Sequence, residues 1–501
     1  MACIITEGAG PMRTILSNHR ANLATIAAWA MYSRGLEPEF PQSVLKQLSN
    51  LTGPAKETGH DIRDMTALSW CSIDNDDSKD LDQLTLIEQL STRAVRVYVA
   101  VADVDCLVPK GSPIDEYARL NTTTVYTSAR AFPMLPALLC NNFTSLNQDE
   151  DRLAVVTEMT FSNDGVLIDS NIFRATVRNK AQLAYDAVSA WIEGTGELPE
   201  PARKVADMHT QLRMQDELAQ KLRVLRHAQG SLEFETFKPH AVFEDDRIVD
   251  IRYQPQNRAR QLIEELMIAT NSCTARFLAS QERASLRRVV RSPERWLRIV
   301  EVASSYGESL PYEPDGEALQ AFLAKQHKAD PLRFPDLSLV VIKLMGSGEY
   351  VVEYPRKPSV GHFGLAVQDY MHSTAPNRRY PDLITLRLIK AALNGAPSPY
   401  SDDELEVLAT HCTVQEDAAQ KVERQMRKSE AALLLHDRVG QIFDGLITGT
   451  GEHGTWVRIF SPPAEGQLKG NKRLAGVGQK VKVKLISTSV ERGFVDFVLV
   501  D

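Results

Sequence analysis

Ser72-Ile73-Asp74-Asn75-Asp76-Asp77-Ser78-Lys79-Asp80-Leu81-Asp82-Gln83 packs five aspartates into nine residues, between the short apolar segment Ala67–Ile73 and a strand-like run, Val95–Val101. Carboxylates this close repel one another, and a fold seldom keeps them together without a cation. Asp74, Asp80 and Asp82 are the candidate ligands. Oxygen donors with no Cys or His nearby suit Mg²⁺ or Mn²⁺ rather than Zn²⁺. Three plainer readings compete. A calcium loop starting at Asp74 needs Gly at its sixth position and Glu at its twelfth, and the chain has Lys79 and Thr85 there. A solvated acidic loop and a chance cluster in an acidic protein are decided by the surrounding sequence.

That surrounding sequence carries a resemblance. Ile73-Asp74, then Asp80-Leu81-Asp82, then Val97-Tyr98-Val99-Ala100-Val101-Ala102-Asp103 open a series of blocks. Pro133-Met134-Leu135-Pro136, Leu262-Ile263-Glu264-Glu265-Leu266-Met267-Ile268-Ala269-Thr270-Asn271, His362-Phe363-Gly364-Leu365 and Thr374-Ala375-Pro376-Asn377-Arg378-Arg379-Tyr380-Pro381-Asp382 follow in order. Together they resemble the RNB catalytic domain of the ribonuclease II and ribonuclease R family. The resemblance implies an α+β (mixed α/β) catalytic domain and processive, hydrolytic 3′→5′ degradation of single-stranded RNA to nucleoside 5′-monophosphates. The family usually opens with two cold-shock OB-folds, for which residues 1–65 leave no room, so a shortened N-terminal region is expected.

Composition is that of a globular protein, 43% hydrophobic and 24% charged, with a net charge of −8. Such a chain does not coat nucleic acid over its whole surface, though a local basic channel is compatible with an acidic total. The six cysteines are scattered without a C-x-x-C, as expected of free, mostly buried thiols in a reducing cytoplasm. No signal peptide, no run of about 18 apolar residues and no P-loop is present, which argues against a membrane span, a nucleotide cofactor or an ATP-driven helicase.

Periodicity predicts helices over Met12–Ser33 and Pro41–Ser49, a module readable as a helix-turn-helix or winged-helix fragment or as a plain helical cap. Strands are expected at Val95–Val101, Leu153–Phe161 and Val166–Phe173, with Asn163-Asp164-Gly165 as a hairpin turn. Helices are expected at Lys180–Trp191, Val205–Gln229, Arg258–Ser280 and Leu383–Leu393, with a polar helical stretch from Asp402 to Leu435. From Val439 the spacing is that of a small barrel. It resembles the OB-fold that closes enzymes of this family. Seven Lys or Arg against two Glu between Pro462 and Arg492 fit a single-strand binder. Phe443, Trp456 and Phe460 are candidate stacking faces there, or core. The expected division is 1–65 helical, 66–435 catalytic and 436–501 OB-fold.

Site residues follow from the resemblance. Asp74, Asp80 and Asp82 take the metal positions, with Gln83 where the family has a fourth acid. Asp82 and Arg378 are assigned to catalysis and Arg379 to RNA contact. A glutamate of the Glu264-Glu265 pair props the 3′-terminal nucleotide. Adjacent helix residues lie about 100° apart, so one of the two faces the site and the other is solvated or paired with Arg258 or Arg260. Tyr126, unaided a half-buried core tyrosine, matches the tyrosine that stacks on the terminal base. His240 falls where the family usually has Phe, which implies a looser base clamp. Gln83 is neutral, so the rival reading is a slow or catalytically silent RNA-binding protein. Phosphorolysis has no support in the sequence, and a DNA exonuclease stays open on chemistry alone.

Overall fold

The computed structural model describes residues 18–57, 59, 61–91, 93–235, 239–253, 256–331, 333–451, 454–470 and 479–500. The first strands are β1 (Ile62–Asp64), β2 (Trp70–Asp74), β3 (Gln83–Ser91) and β4 (Ala94–Ala102). After the short ribbon β5 (Val125–Tyr126) and β6 (Ala131–Phe132) come β7 (Asp151–Ser162) and β8 (Leu167–Ala184). The main sheet runs β1-β8-β2-β3-β4-β7, and β7 pairs back onto β8, so the sheet returns on itself. Along β4, Val97, Val99 and Val101 enter one core while Tyr98, Ala100 and Ala102 enter the other. A strand covered on both faces is apolar at every position, which is why this run reads as continuous rather than alternating.

The Met208–Ala228 and Arg258–Ser280 helices close the first core, and Tyr380–Leu393 closes the second. The expected hairpin is present: Ser162 N–H reaches Val166 O at 2.8 Å, and Gly165 takes the left-handed conformation (φ +83°) that its turn requires. One expectation needs correction. Residues 180–184 continue β8, and the helix starts only at Tyr185. Ala175, Val177, Asn179, Ala181 and Leu183 are buried at every second position, a period of two that outweighs their helix-tolerant composition.

The N-terminal helices His19–Tyr32 and Gln42–Ser49 join separate cores. Leu23, Ala27 and Met31 pack with Ala418 and Val422 of the long Asp402–Leu434 helix, whereas Val44 packs into the core with Trp70 and Ile114. Part of the predicted first helix, residues 12–17, lies outside the described residues. The hairpin β9 (Pro239–Glu244) and β10 (Arg247–Tyr253) and the ribbon β11 (Ser285–Val289) and β12 (Glu349–Glu353) decorate the body. At the C-terminus β13 (Ile442–Gly451), β14 (Gly454–Phe460), β15 (Pro463–Leu468), β16 (Lys480–Ser489) and β17 (Phe494–Leu499) form a closed barrel. The molecule is thus a mixed α/β domain with an N-terminal helical segment and a C-terminal five-stranded OB-like barrel. The five described cysteines are free and, Cys106 apart, buried. Among the described residues no helix is long and apolar enough to cross a membrane.

Glu430 sits on the inner face of the long helix, 2% exposed, with one carboxyl oxygen lacking a hydrogen-bond partner. Burial pushes its carboxyl up from 4.5 to about 7, despite Ser128 beside it. A raised carboxyl favours folding fully below the unfolded value and loses that contribution as pH climbs through the folded one. The Glu430→Gln variant is therefore expected to gain on the parent protein between pH 5 and pH 8 by up to about 3 kcal/mol. Urea unfolding at both pH values measures the difference, and parallel pH dependence of the two proteins would clear Glu430 as its source.

Candidate active site

β2 delivers Asp74 to the end of the sheet, where the chain turns on that side chain. Asp74 Oδ1 accepts Asn75 N–H at 2.7 Å and Ser78 Oγ–H at 2.9 Å. The turn leaves Asp76 and Asp77 in solvent, and Asp80 comes back beside Asp74 before β3 starts at Gln83. Asp74, Asp80 and Gln83 line one cavity of about 450 Å³. Arg260, Arg378 and Arg379 line the same cavity, as do the rings of Tyr126 and Tyr185. Burial, reinforced by Asp80, pushes the Asp74 carboxyl above its ordinary range.

Asp82 is placed differently. Its buried carboxylate accepts Asn377 N–H on Oδ1 and Arg378 Nε–H on Oδ2, both at 3.0 Å. It is not among the residues lining the cavity. Burial raises this carboxyl to about 7 against the pull of Arg378. The pair anchors the guanidinium through Nε and leaves its two terminal amino groups for another partner. Arg379 is oriented in the same way by Asp382 at 2.7 Å, whose Oδ1 also accepts Ala375 N–H at 2.9 Å.

Glu264 lines the cavity, and burial raises its carboxyl. Glu265 points away and pairs with Arg226 of the neighbouring helix, Nε to Oε2 2.9 Å. The expected partners are taken elsewhere: Arg258 by Asp216 at 2.8 Å, and Arg260 by Asn75 at 2.7 Å and the Tyr185 ring. Neither arginine lies three or four residues from Glu265 on its helix, so they cannot reach it along one face.

Tyr126 is no core tyrosine. It is 45% exposed, its hydroxyl donates to Asp80 Oδ2 at 3.0 Å, and its N–H donates to Glu423 at 3.1 Å. His240 lies exposed on β9 opposite Arg252 and does not line the cavity. In the barrel, Phe443 is 7% exposed and packs edge-on against Phe497, so it belongs to the core and offers no stacking face. Trp456 is half-buried, and Phe460 is 48% exposed in a cleft with Arg458, Lys480 and Lys482. Two of the predicted basic residues, Lys472 and Arg473, lie outside the described residues.

Sequence reasoning missed Tyr185, Asn271 and Tyr370, which also line the cavity. Nothing local marks them, since they converge from three separate segments. The donor set fits a hard cation in its chemistry: two carboxylates and an amide oxygen line one cavity. Among the described residues, however, no three His, Cys, Asp or Glu side chains converge as a ready-made cage.

Comparisons with known proteins agree with this architecture. The RNB domain matches residues 62–395, and the RNase II-type exonuclease C-terminal S1 domain matches residues 441–500. Ribonuclease R of Escherichia coli is 29% identical over 92% of this chain, which spans 60% of that protein's length. Ribonuclease R of Aquifex aeolicus is 30% identical over 93% of this chain and 69% of its own. The apo form of Mycoplasma genitalium RNase R shares the fold, with a TM-score of 0.84, 23% identity, and coverage of 96% of this chain and 78% of that one. With its α/β body, its acidic cavity faced by arginines and its terminal barrel, the chain belongs to the RNB-domain family of ribonuclease II and ribonuclease R.

Proposed function

We propose that this protein is a hydrolytic, processive 3′→5′ exoribonuclease that releases nucleoside 5′-monophosphates from single-stranded RNA with a free 3′ end, using Mg²⁺ or Mn²⁺, in the cytoplasm. The observation that carries the reading is the meeting of Asp74 and Asp80 with Arg260, Arg378 and Arg379 in one cavity. Carboxylates and guanidinium groups lining one cavity suit a phosphodiester held beside a cation, and the volume is that of a small-molecule site. Family membership supports it.

Asp74, Asp80 and the Gln83 amide oxygen are the groups that would hold a divalent cation. Once bound, such a cation lowers the pKa of an attacking water and polarises the scissile phosphate. Arg378, held by Asp82, and Arg379, held by Asp382, offset charge growing on the phosphoryl oxygens without having to reorganise. Tyr126 offers its ring to the leaving base, which requires no particular sequence because every base has a π-face. Glu264, rather than the Arg226-bound Glu265, props the terminal nucleotide. Phe460 and the lysines of β16 guide the strand into the body. In functional terms we divide the chain at residues 65 and 435.

The test is a time course on 5′-labelled single-stranded RNA with Mg²⁺, Mn²⁺ or EDTA, with products from uniformly labelled RNA resolved. A metal-dependent ladder shrinking from the 3′ end with monophosphate release is expected. Intact RNA under every metal together with a gel shift would replace the enzyme with a binding protein. Asp82→Asn is expected to lower kcat by about 100-fold or more through loss of Arg378 alignment, with RNA affinity nearly unchanged. Turnover close to that of the parent would remove Asp82 from the mechanism. Gln83→Glu adds a carboxylate to the same cavity and is expected to lower the half-saturating Mg²⁺ concentration about tenfold; an unchanged metal titration would show that position 83 is not a ligand.

A further inference from the structure

Thr144, Ser145 and Leu146 follow the π-helical turn Leu139–Phe143 and run beneath the aspartate loop, all buried. The Ser145 hydroxyl is used twice on that loop: it donates to the Lys79 carbonyl at 2.8 Å and accepts Leu81 N–H at 3.0 Å. These two partners flank Asp80. Leu146 N–H then donates to the Leu81 carbonyl at 3.0 Å, and the Leu81 and Leu146 side chains share one apolar core. On the other side, Thr144 Oγ1 lies 2.5 Å from Asn377 Oδ1, and Asn377 N–H is the group that binds Asp82.

Residues 79–81 belong to no helix, strand or turn, so no ladder sets their direction. A hydroxyl bonded to the main chain on both sides of a residue fixes the direction of that residue's Cα–Cβ bond. Ser145, 0% exposed, holds Asp80 so that its carboxylate meets the cavity, where Tyr126 finds it. Partners behind a ligating group commonly govern its affinity for metal as strongly as their own contacts are well made.

We propose that Ser145 is a positioning residue of this site: it presents Asp80 to the divalent cation, so that its loss weakens metal binding more than it slows the chemical step. The proposal rests on the cation-binding part of the function proposed above, and direct Mn²⁺ binding tests it independently of RNA hydrolysis.

Ser145→Ala, Ser145→Thr and Val108→Ala are compared with the parent protein by electron paramagnetic resonance of Mn²⁺, by Tm, and by the Mn²⁺ dependence of RNA hydrolysis. Val108 trims the same apolar core and lies outside the loop. Ser145→Ala is expected to raise the Mn²⁺ dissociation constant by about 10- to 100-fold, with kcat largely recovered at saturating Mn²⁺. Ser145→Thr keeps the hydroxyl and is expected to restore affinity, while Val108→Ala lowers Tm and leaves Mn²⁺ binding intact. Parental Mn²⁺ affinity in Ser145→Ala, or an equal loss in Val108→Ala, would overturn the proposal. So would the absence of Mn²⁺ binding by the parent protein. If the alanine variant does not fold, Ser145→Cys, with its weaker donor, carries the same comparison. A parent protein that binds Mn²⁺ but cleaves no RNA would refute the nuclease reading alone, and the Mn²⁺ series would still decide the role of Ser145.

Discussion

The pair formed by Asp82 and Arg378, 296 positions apart in the chain, is the contact on which the site depends. A carboxylate taken out of water is tolerated only when its oxygens are well satisfied, and breaking such a pair leaves a buried charge that costs far more than the pair contributes. Here Arg378 Nε–H and Asn377 N–H each serve one oxygen. The loop between β2 and β3 and the segment before the Tyr380–Leu393 helix are thereby locked to one another. The cavity lies against both of them and the Arg258–Ser280 helix. Its walls keep their spacing because both sides are anchored in the apolar cores of the same sheet.

Within that space both signs of charge meet. Asp74, Asp80 and Glu264 line it together with Arg260, Arg378 and Arg379, while the chain as a whole carries −8. Net charge describes how the protein behaves toward bulk polyanions; a cleft with low-dielectric walls concentrates the field of the few groups that line it. The pairing of each arginine with a fixed partner, Asn75, Asp82 or Asp382, restricts it to one orientation. An acidic protein can therefore keep a local cluster of oriented arginines.

The terminal barrel shows how one alternation separates core from contact face. Along β16, Val483 and Leu485 point inward and Lys480, Lys482 and Lys484 outward. Arg458 ties the barrel to the body through Asp336 at 2.6 Å, on the wall of the cleft where Phe460 is exposed. Phe443, one strand away, points into the barrel, and the period of two that turns it inward also gives its neighbours to solvent.

Much of this architecture was legible in local pattern. The strand at Val95–Val101, the turn at Asn163-Asp164-Gly165, the helix Arg258–Ser280 and the strand spacing of the barrel each follow from nearest-neighbour periodicity. So did the concentration of aspartates, because their repulsion is a property of the stretch itself. Composition misled over 180–184, where only the pairing of β8 with β2 shows that the strand continues. The sequence grouped Asp82 with Asp74 and Asp80, whereas the structure turns it to Arg378; which glutamate of the adjacent pair is free, and whether Phe443 or Phe460 is exposed, were open in the sequence. Those outcomes rest on partners far away in the chain: Arg378 for Asp82, Arg226 for Glu265, Phe497 for Phe443 and Ser145 for the loop around Asp80. A side chain's direction depends on which distant group satisfies it, and that choice exists only once the chain has folded.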